Sequence, residues 1–348
     1  MMKIKLKIDM IGFIMFVMCV LIMGLNSFNL DYPNYVWSYH TSVVDDMEYF
    51  YEYLEEIGQF FELNYVQFKF FLSLMGLLLM RMIVKKYTNK TWLFYTLYFL
   101  YPFFLDIIEN KNFIGTILLT YAISFLSKKE KKNRIIYCFF IILAAGFHNM
   151  FILFLPAVFI NKINKNKCIR YILKFMVIIS IILVFVPGIT INIINMLLGS
   201  FSSGRTDYFN KVSTNLGFFV MISEQVMAFA TSYFEVKTIK KINIRSSINR
   251  RRVNLINLVY FFNIYAFVFC PLYRLNGQFM RIMQSMFPIM HISFISTLIV
   301  SKNIVCREKT YFKYIYLFYV VFMFLCQIII SHYDDIFITT FTNNWLII

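Results

Sequence analysis

The sequence predicts an all-α, polytopic integral membrane bundle, and three observations carry that reading. Ten apolar runs, most of them about 20 residues long, lie between Met10 and Ser331. The short stretches between them alternate between crowded with lysine and arginine and nearly free of them. The chain is 60% hydrophobic and 15% charged with a mean hydropathy of +0.66, which in a soluble domain would leave far too much apolar surface in water. About 20 apolar residues make a helix that crosses roughly 30 Å of hydrocarbon, and in lipid the backbone must bond to itself.

Each span follows from where its run starts and which flank is basic. Lys3, Lys5 and Lys7 precede the first run, Met10–Leu25, and place the N-terminus in the cytoplasm. No small-residue cleavage site follows Gly24, so this run reads as an uncleaved span. Residues 26–67 form an acidic extracytoplasmic loop with Asp31, Asp45, Asp46, Glu48, Glu52, Glu55, Glu56 and Glu62 and no lysine or arginine. Span 2 (68–84) returns to Lys85, Lys86 and Lys90, and span 3 (91–105) leaves for an outer turn at 106–112. Span 4 (113–127) comes back to Lys128, Lys129, Lys131, Lys132 and Arg134.

The next run, Ile135–Ile160, has basic segments at both ends, so a single crossing would strand one of them outside. A broken hairpin turning near Gly146-Phe147-His148-Asn149 keeps both inside. Span 6 (171–186) exits to a second extracytoplasmic segment, 187–215, whose apolar part suits the membrane interface. Span 7 (216–236) returns to the most basic loop, 237–252; span 8 (253–273) exits to a turn bounded by Arg274 and Arg281. Spans 9 (282–300) and 10 (311–331) complete the single transmembrane domain expected over residues 1–348.

A net charge of +16 would suggest nucleic acid in a soluble protein. Here the cations sit in short loops, where they fix orientation and meet anionic membrane lipids, so no nucleic-acid partner is expected. Cys19, Cys138, Cys168, Cys270, Cys306 and Cys326 show no CxxC spacing and no legible disulfide framework. HExxH, Walker and GxGxxG motifs are absent, and the four histidines are far apart, so neither metal nor cofactor is expected.

Five cations lie on the outer side against the positive-inside bias: Lys111, Arg205, Lys211, Arg274 and Arg281. A guanidinium fork or an ammonium suits phosphate oxygens, so a lipid-linked diphosphate fits them; ordinary pairing with the acidic outer segments is the alternative. Charged groups inside spans cost about 2.5–3.5 kcal/mol and tend to line interior cavities. Glu224 and His291 are such interior polar candidates, and His148 stands at the proposed break as a base, a phosphate ligand or a plug for freed backbone groups. The outer aromatic residues Tyr32, Tyr35, Trp37, Tyr39, Tyr49, Phe50, Tyr51 and Tyr53 suit sugar stacking or interfacial anchoring.

Several of these motifs, in order, resemble the EpsG-like branch of the Wzy-type O-antigen and capsule polymerases. Asp31-Tyr32 with Tyr35 is similar to that family's DYxxY segment. Glu48-Tyr49-Phe50-Tyr51 ahead of Leu63-Asn64-Tyr65 is similar to its EPxY…LN outer loop, without the proline. Lys111-Asn112-Phe113-Ile114-Gly115 stands where the family shows Arg-Asn or Arg-Gln, keeping the charge and losing the bidentate fork. Gly146-Phe147-His148-Asn149 with Pro156 resembles its FHxS…P hairpin; Arg205 to Tyr208 resembles its central-loop Arg/Tyr segment, and Arg274 or Arg281 its late outer arginine.

The resemblance implies a glycosyltransferase-C-like fold in a bacterial inner membrane, with an extracytoplasmic active site. It implies a metal-independent glycosyltransferase that joins undecaprenyl-diphosphate-linked oligosaccharide repeat units in O-antigen, capsule or exopolysaccharide synthesis. A chain-length regulator protein is a further implied partner. His148, Glu48 and Asp31 are then the catalytic candidates, and Lys111, Arg205, Arg274 and Arg281 the diphosphate-binding ones. A lipid-linked oligosaccharide flippase, an O-antigen ligase-like or acyl-transferring membrane enzyme, and a non-catalytic membrane protein are the competing expectations.

Overall fold

A computed structural model gives the fold and describes residues 9–41, 48–128, 130–163, 166–198, 213–242 and 246–346. The expected positions of Arg205 and Lys211 lie outside the described residues. Among the described residues the structure is helical, with a single isolated bridge between Asn26 and Asn344. Four stretches are long and apolar enough to cross a membrane: Tyr65–Lys85, Ser247–Leu275, Gly277–Val300 and Arg307–Ile330. Met10–Gly24, Thr91–Leu100 and Asn149–Ile160 are shorter apolar helices.

The first helix, α1 (Met10–Gly24), starts at Asp9, whose carboxylate accepts from Gly12 N at 3.0 Å. The same side chain accepts from the backbone N–H groups of Thr91 and Trp92, so one carboxylate caps two helices. The acidic segment expected as a loop is itself largely helical, forming α2 (Tyr32–Thr41) and α3 (Tyr49–Phe60). A one-sided apolar pattern seats α3 on the bundle, where Tyr51, Glu55 and Gly58 are buried. The following helix α4 (Tyr65–Lys85) opens with a reciprocal capping box between Asn64 and Gln67.

Span 3 departs from its expected continuous form. It breaks into α5 (Thr91–Leu100) and α6 (Phe103–Ile108), because Pro102 has no N–H and its ring opposes the preceding turn. The carbonyl of Tyr101 accepts from His291 Nε2 at 2.8 Å, which satisfies it at the break, and Tyr316 O–H donates to His291 Nδ1 at 2.7 Å. His291 is therefore the neutral tautomer protonated at Nε2. The plugging role weighed for His148 belongs to His291, at a different break.

Helix α7 (Asn110–Leu126) runs through the centre with nearly every side chain buried. Next, α8 (Lys131–Phe147) stops at His148, which adopts an extended conformation, and a 3-10 segment follows over Asn149–Lys162. The Tyr137 hydroxyl donates to Phe154 O at 2.6 Å across this break. In one straight helix those residues would stand about 25 Å apart at 1.5 Å per residue, so the chain reverses at His148 as a hairpin. Gly115 of α7 makes room for Phe151, which lies 2.0 Å from where a Cβ would stand.

Beyond the hairpin lie α9 (Lys167–Val184), largely exposed on the periphery, and α10 (Pro187–Leu198). Then come α11 (Asn215–Ile239), α12 (Ser247–Ala266), α13 (Phe287–Val300) and α14 (Arg307–Met323). Almost all of α13 is buried. The chain after α14 turns back onto the end of α1: Ser27 N donates to Asn343 O at 2.8 Å, and Trp345 N donates to Leu25 O at 3.0 Å. Asn344 Nδ2 also donates to Ile22 O at 2.9 Å, which with Trp345 meets carbonyls left open at the end of α1.

Buried Lys69 of α4 anchors this seam through Asn26, donating to its Oδ1 at 3.0 Å and its backbone carbonyl at 3.3 Å. Asn26→Ala should destabilise the protein by about 1–3 kcal/mol, since it strips an acceptor from a buried ammonium. Adding Lys69→Met to that variant should recover part of the loss. Thermal unfolding in detergent of the two single variants and the double variant checks this.

Candidate functional site

The N-terminal end of α7 gathers the titratable groups. Lys111, in its first turn, donates to Glu48 Oε2 at 2.9 Å, and Glu48 Oε1 lies 2.9 Å from His148 Nδ1. Glu48 stands at the start of α3, and His148 stands at the hairpin break, which an uninterrupted helix could not present. Gly146 permits this approach: Phe50 lies 1.9 Å from where its Cβ would be, so any side chain there would push α3 away. The Lys111 ammonium also sits 5.0 Å from the centre of the Tyr51 ring.

A second pair lies alongside. Arg281 Nε donates to Glu109 Oε1 at 2.8 Å, and Asn112 Nδ2 donates to Glu109 Oε2 at 3.0 Å. The charge of Arg281 reaches Asp31, and Asp31 and His148 both act on Glu109. Tyr35 packs between the two pairs, stacked on Tyr65 at 6.3 Å and bonded to the Lys111 backbone. Asn110 Nδ2 donates to the Tyr65 hydroxyl at 2.8 Å and so ties α7 to this aromatic floor.

The electrostatics differ from one carboxyl to the next. Burial pushes Glu48 up, but the hydrogen bond to His148 and the charge of Lys111 outweigh it and hold the group at about 2. With Glu48 ionised, the bond between the two is donated by His148 Nδ1. Burial raises Glu55 to about 7, against the opposing charge of Lys111 and the hydrogen bond from Ser38. Burial also raises Asp31 and Glu109, in each case against the pull of Arg281. Among the described residues, no three His, Cys, Asp or Glu side chains converge as a metal site.

The structure thus brings together Asp31, Glu48, Lys111, His148 and Arg281 from the sequence-derived set. Arg274 stands apart, donating to Asn215 Oδ1 at 2.8 Å with its guanidinium over Phe218. Glu224 and His291 are fully buried within the bundle, Glu224 beside Tyr319 and away from this cluster. Sequence reasoning passed over Glu109 and Glu55. Glu109 had a usable signal, an acid two residues before an outer lysine, whereas nothing local separates Glu55 from its acidic neighbours.

Glu48 and Glu55 predict opposite pH dependences. Glu48 is depressed on folding, so its contribution is full above about pH 4.5 and is lost as the pH falls towards 2. Glu55 is raised, so the folded state favours its protonated form and loses stability as the pH rises through about 7. Glu55→Gln should unfold at a higher temperature than the parent at about pH 8 and show little difference near pH 5. Melting curves in detergent across that range read the sign directly.

No curated protein and no solved structure matches this chain. The family model described as EpsG family matches residues 9–341, nearly its full length. With the DYxxY-like segment, the lysine at the start of α7 and the histidine hairpin meeting at one end of a helical membrane bundle, the chain belongs to the EpsG family.

Proposed function

We propose that the protein is a polysaccharide polymerase that joins undecaprenyl-diphosphate-linked repeat units at the outer face of a bacterial inner membrane. Family membership supports polymerase-like chemistry in a membrane protein. The observation that carries the reading is Glu48, which joins a cation and a histidine at the mouth of a reversed helix.

In this reading His148 is the base. Its Nε2 takes the proton of the acceptor sugar hydroxyl, while Glu48 fixes the ring and stabilises the imidazolium that forms. The acceptor oxygen bonds to the donor's anomeric carbon as the bond from that carbon to the diphosphate oxygen breaks. Undecaprenyl diphosphate leaves with the electron pair, and Lys111 and Arg281 stabilise its developing charge without a metal in the step. Both cations are already paired with carboxylates, so the diphosphate must draw them from Glu48 and Glu109 or bind on their remaining N–H groups. The exposed Trp37, Tyr49 and Tyr53 of α2 and α3 offer ring faces on which sugars can stack.

Deletion of the gene should collapse a long surface-glycan ladder on gels to single repeats on their anchor. Loss of all surface material would indicate a flippase instead, and an intact polymer that fails to reach its final acceptor would indicate a ligase. In a complemented strain, His148→Ala should lower polymer output by about 100-fold or more at matched membrane abundance. Paired Lys111→Ala and Arg281→Ala replacements should abolish the ladder, and an unchanged ladder would remove the diphosphate role.

A further inference from the structure

The opposite ends of α4 and α7 hold a second group of cations, organised differently from the first. Tyr65 opens α4 beside the Glu48 cluster, and Lys86 closes it about 30 Å away at 1.5 Å per residue. The Lys86 ammonium lies 4.8 Å from the Tyr121 ring and 5.4 Å from the Phe125 ring, both on the last turns of α7. Lys128, just beyond α7, sits 4.7 Å from the same Phe125. From the first turns of α12, Arg251 places its guanidinium 5.1 Å from the Tyr87 ring. Arg252 beside it donates Nε to Tyr87 O at 2.8 Å and fixes the helix there.

Ring faces attract these cations weakly but leave their charge uncompensated. Among the described residues, no carboxylate forms an ion pair with Lys86, Lys128 or Arg251, whereas Lys111 and Arg281 at the other end both have one. Burial, then the like charges of Arg251 and Lys128, lower the pKa of Lys86, so the three repel at close range. Arg251 Nε is shielded from solvent and has no acceptor. A general bias of basic loops towards one membrane side explains scattered exposed lysines, but not three cations seated on the aromatic rings at one end of α4 and α7 without a paired acid.

We propose that Lys86, Lys128 and Arg251 form a cradle for the phosphate of an anionic phospholipid headgroup, at the end of the bundle opposite the Glu48 cluster. A phosphate brings the negative charge that these cations lack and relieves the repulsion that Arg251 and Lys128 exert on Lys86. A membrane-bound source follows from position, since the cradle lies where the spanning helix α4 ends and headgroups are concentrated. The site is independent of the transferase reading and of its outcome.

The test uses the full-length protein purified in neutral detergent. Phosphatidylglycerol, phosphatidylcholine and inorganic phosphate are titrated separately at matched ionic strength, with the unfolding temperature as readout. Phosphatidylglycerol should raise it saturably and phosphatidylcholine should not. The rise should vanish in Lys86→Gln/Lys128→Gln/Arg251→Gln and persist in Lys302→Gln. Arg251→Lys, which keeps the charge and loses the fork, should weaken the response several-fold and covers the case in which the triple variant does not fold. Equal responses in parent, Arg251→Lys and triple variant would overturn the site. A saturable rise with inorganic phosphate matching that with phosphatidylglycerol would overturn the lipid as its occupant.

Discussion

Glu48 holds two partners that the chain delivers from far away, Lys111 at a separation of 63 residues and His148 at 100. Its position at the start of α3 joins the acidic segment to the bundle, and the arrangement at that end depends on it. A carboxylate shared by an ammonium and an imidazole stays ionised, and an ionised carboxylate takes the bond from His148 Nδ1 and fixes the ring. The histidine reaches this point only because the helix reverses there. The reversal in turn requires Phe50 to close against Gly146, where the glycine leaves room for the ring.

The two ends of α4 and α7 show how one net charge of +16 is managed in opposite ways. Towards the Glu48 end, cations are few and are matched by carboxylates in alternation, with Asp31 and Glu109 on Arg281, and Glu48 and Glu55 on Lys111. At the other end, Lys86, Lys128 and Arg251 rest on aromatic rings with no described acid paired to them. Paired charges suit a site that must stay ordered without substrate. Unpaired ones suit a surface that meets anions continuously.

Much of this layout was legible before the structure because it follows from local pattern. Apolar run length located α1, α7 and the four helices long enough to span, α4 among them, and basic flanks on both sides of Ile135–Ile160 required the hairpin at His148. The break at Pro102 carried a local signal that the apolar run obscured: proline inside a helix removes one hydrogen bond and strands a carbonyl. Helices α2 and α3 were hidden because a polar, acidic outer segment lacks the long apolar stripe of a span. The resemblance singled out Glu48, but the selection of Glu55 from the eight acids, and of Arg281 over Arg274, depends on contacts between segments far apart in sequence. Spacing along the chain does not encode those contacts.

The account stands most directly on the side of the membrane that the Glu48 cluster faces. In a background with the six native cysteines replaced by serine, Tyr53→Cys on exposed α3 and Lys302→Cys beyond α13 place single thiols at opposite ends of the bundle. A membrane-impermeant maleimide should label Tyr53→Cys in intact cells and Lys302→Cys only after permeabilisation. The reverse pattern would put Glu48, Lys111 and His148 in the cytoplasm and contradict the assignment.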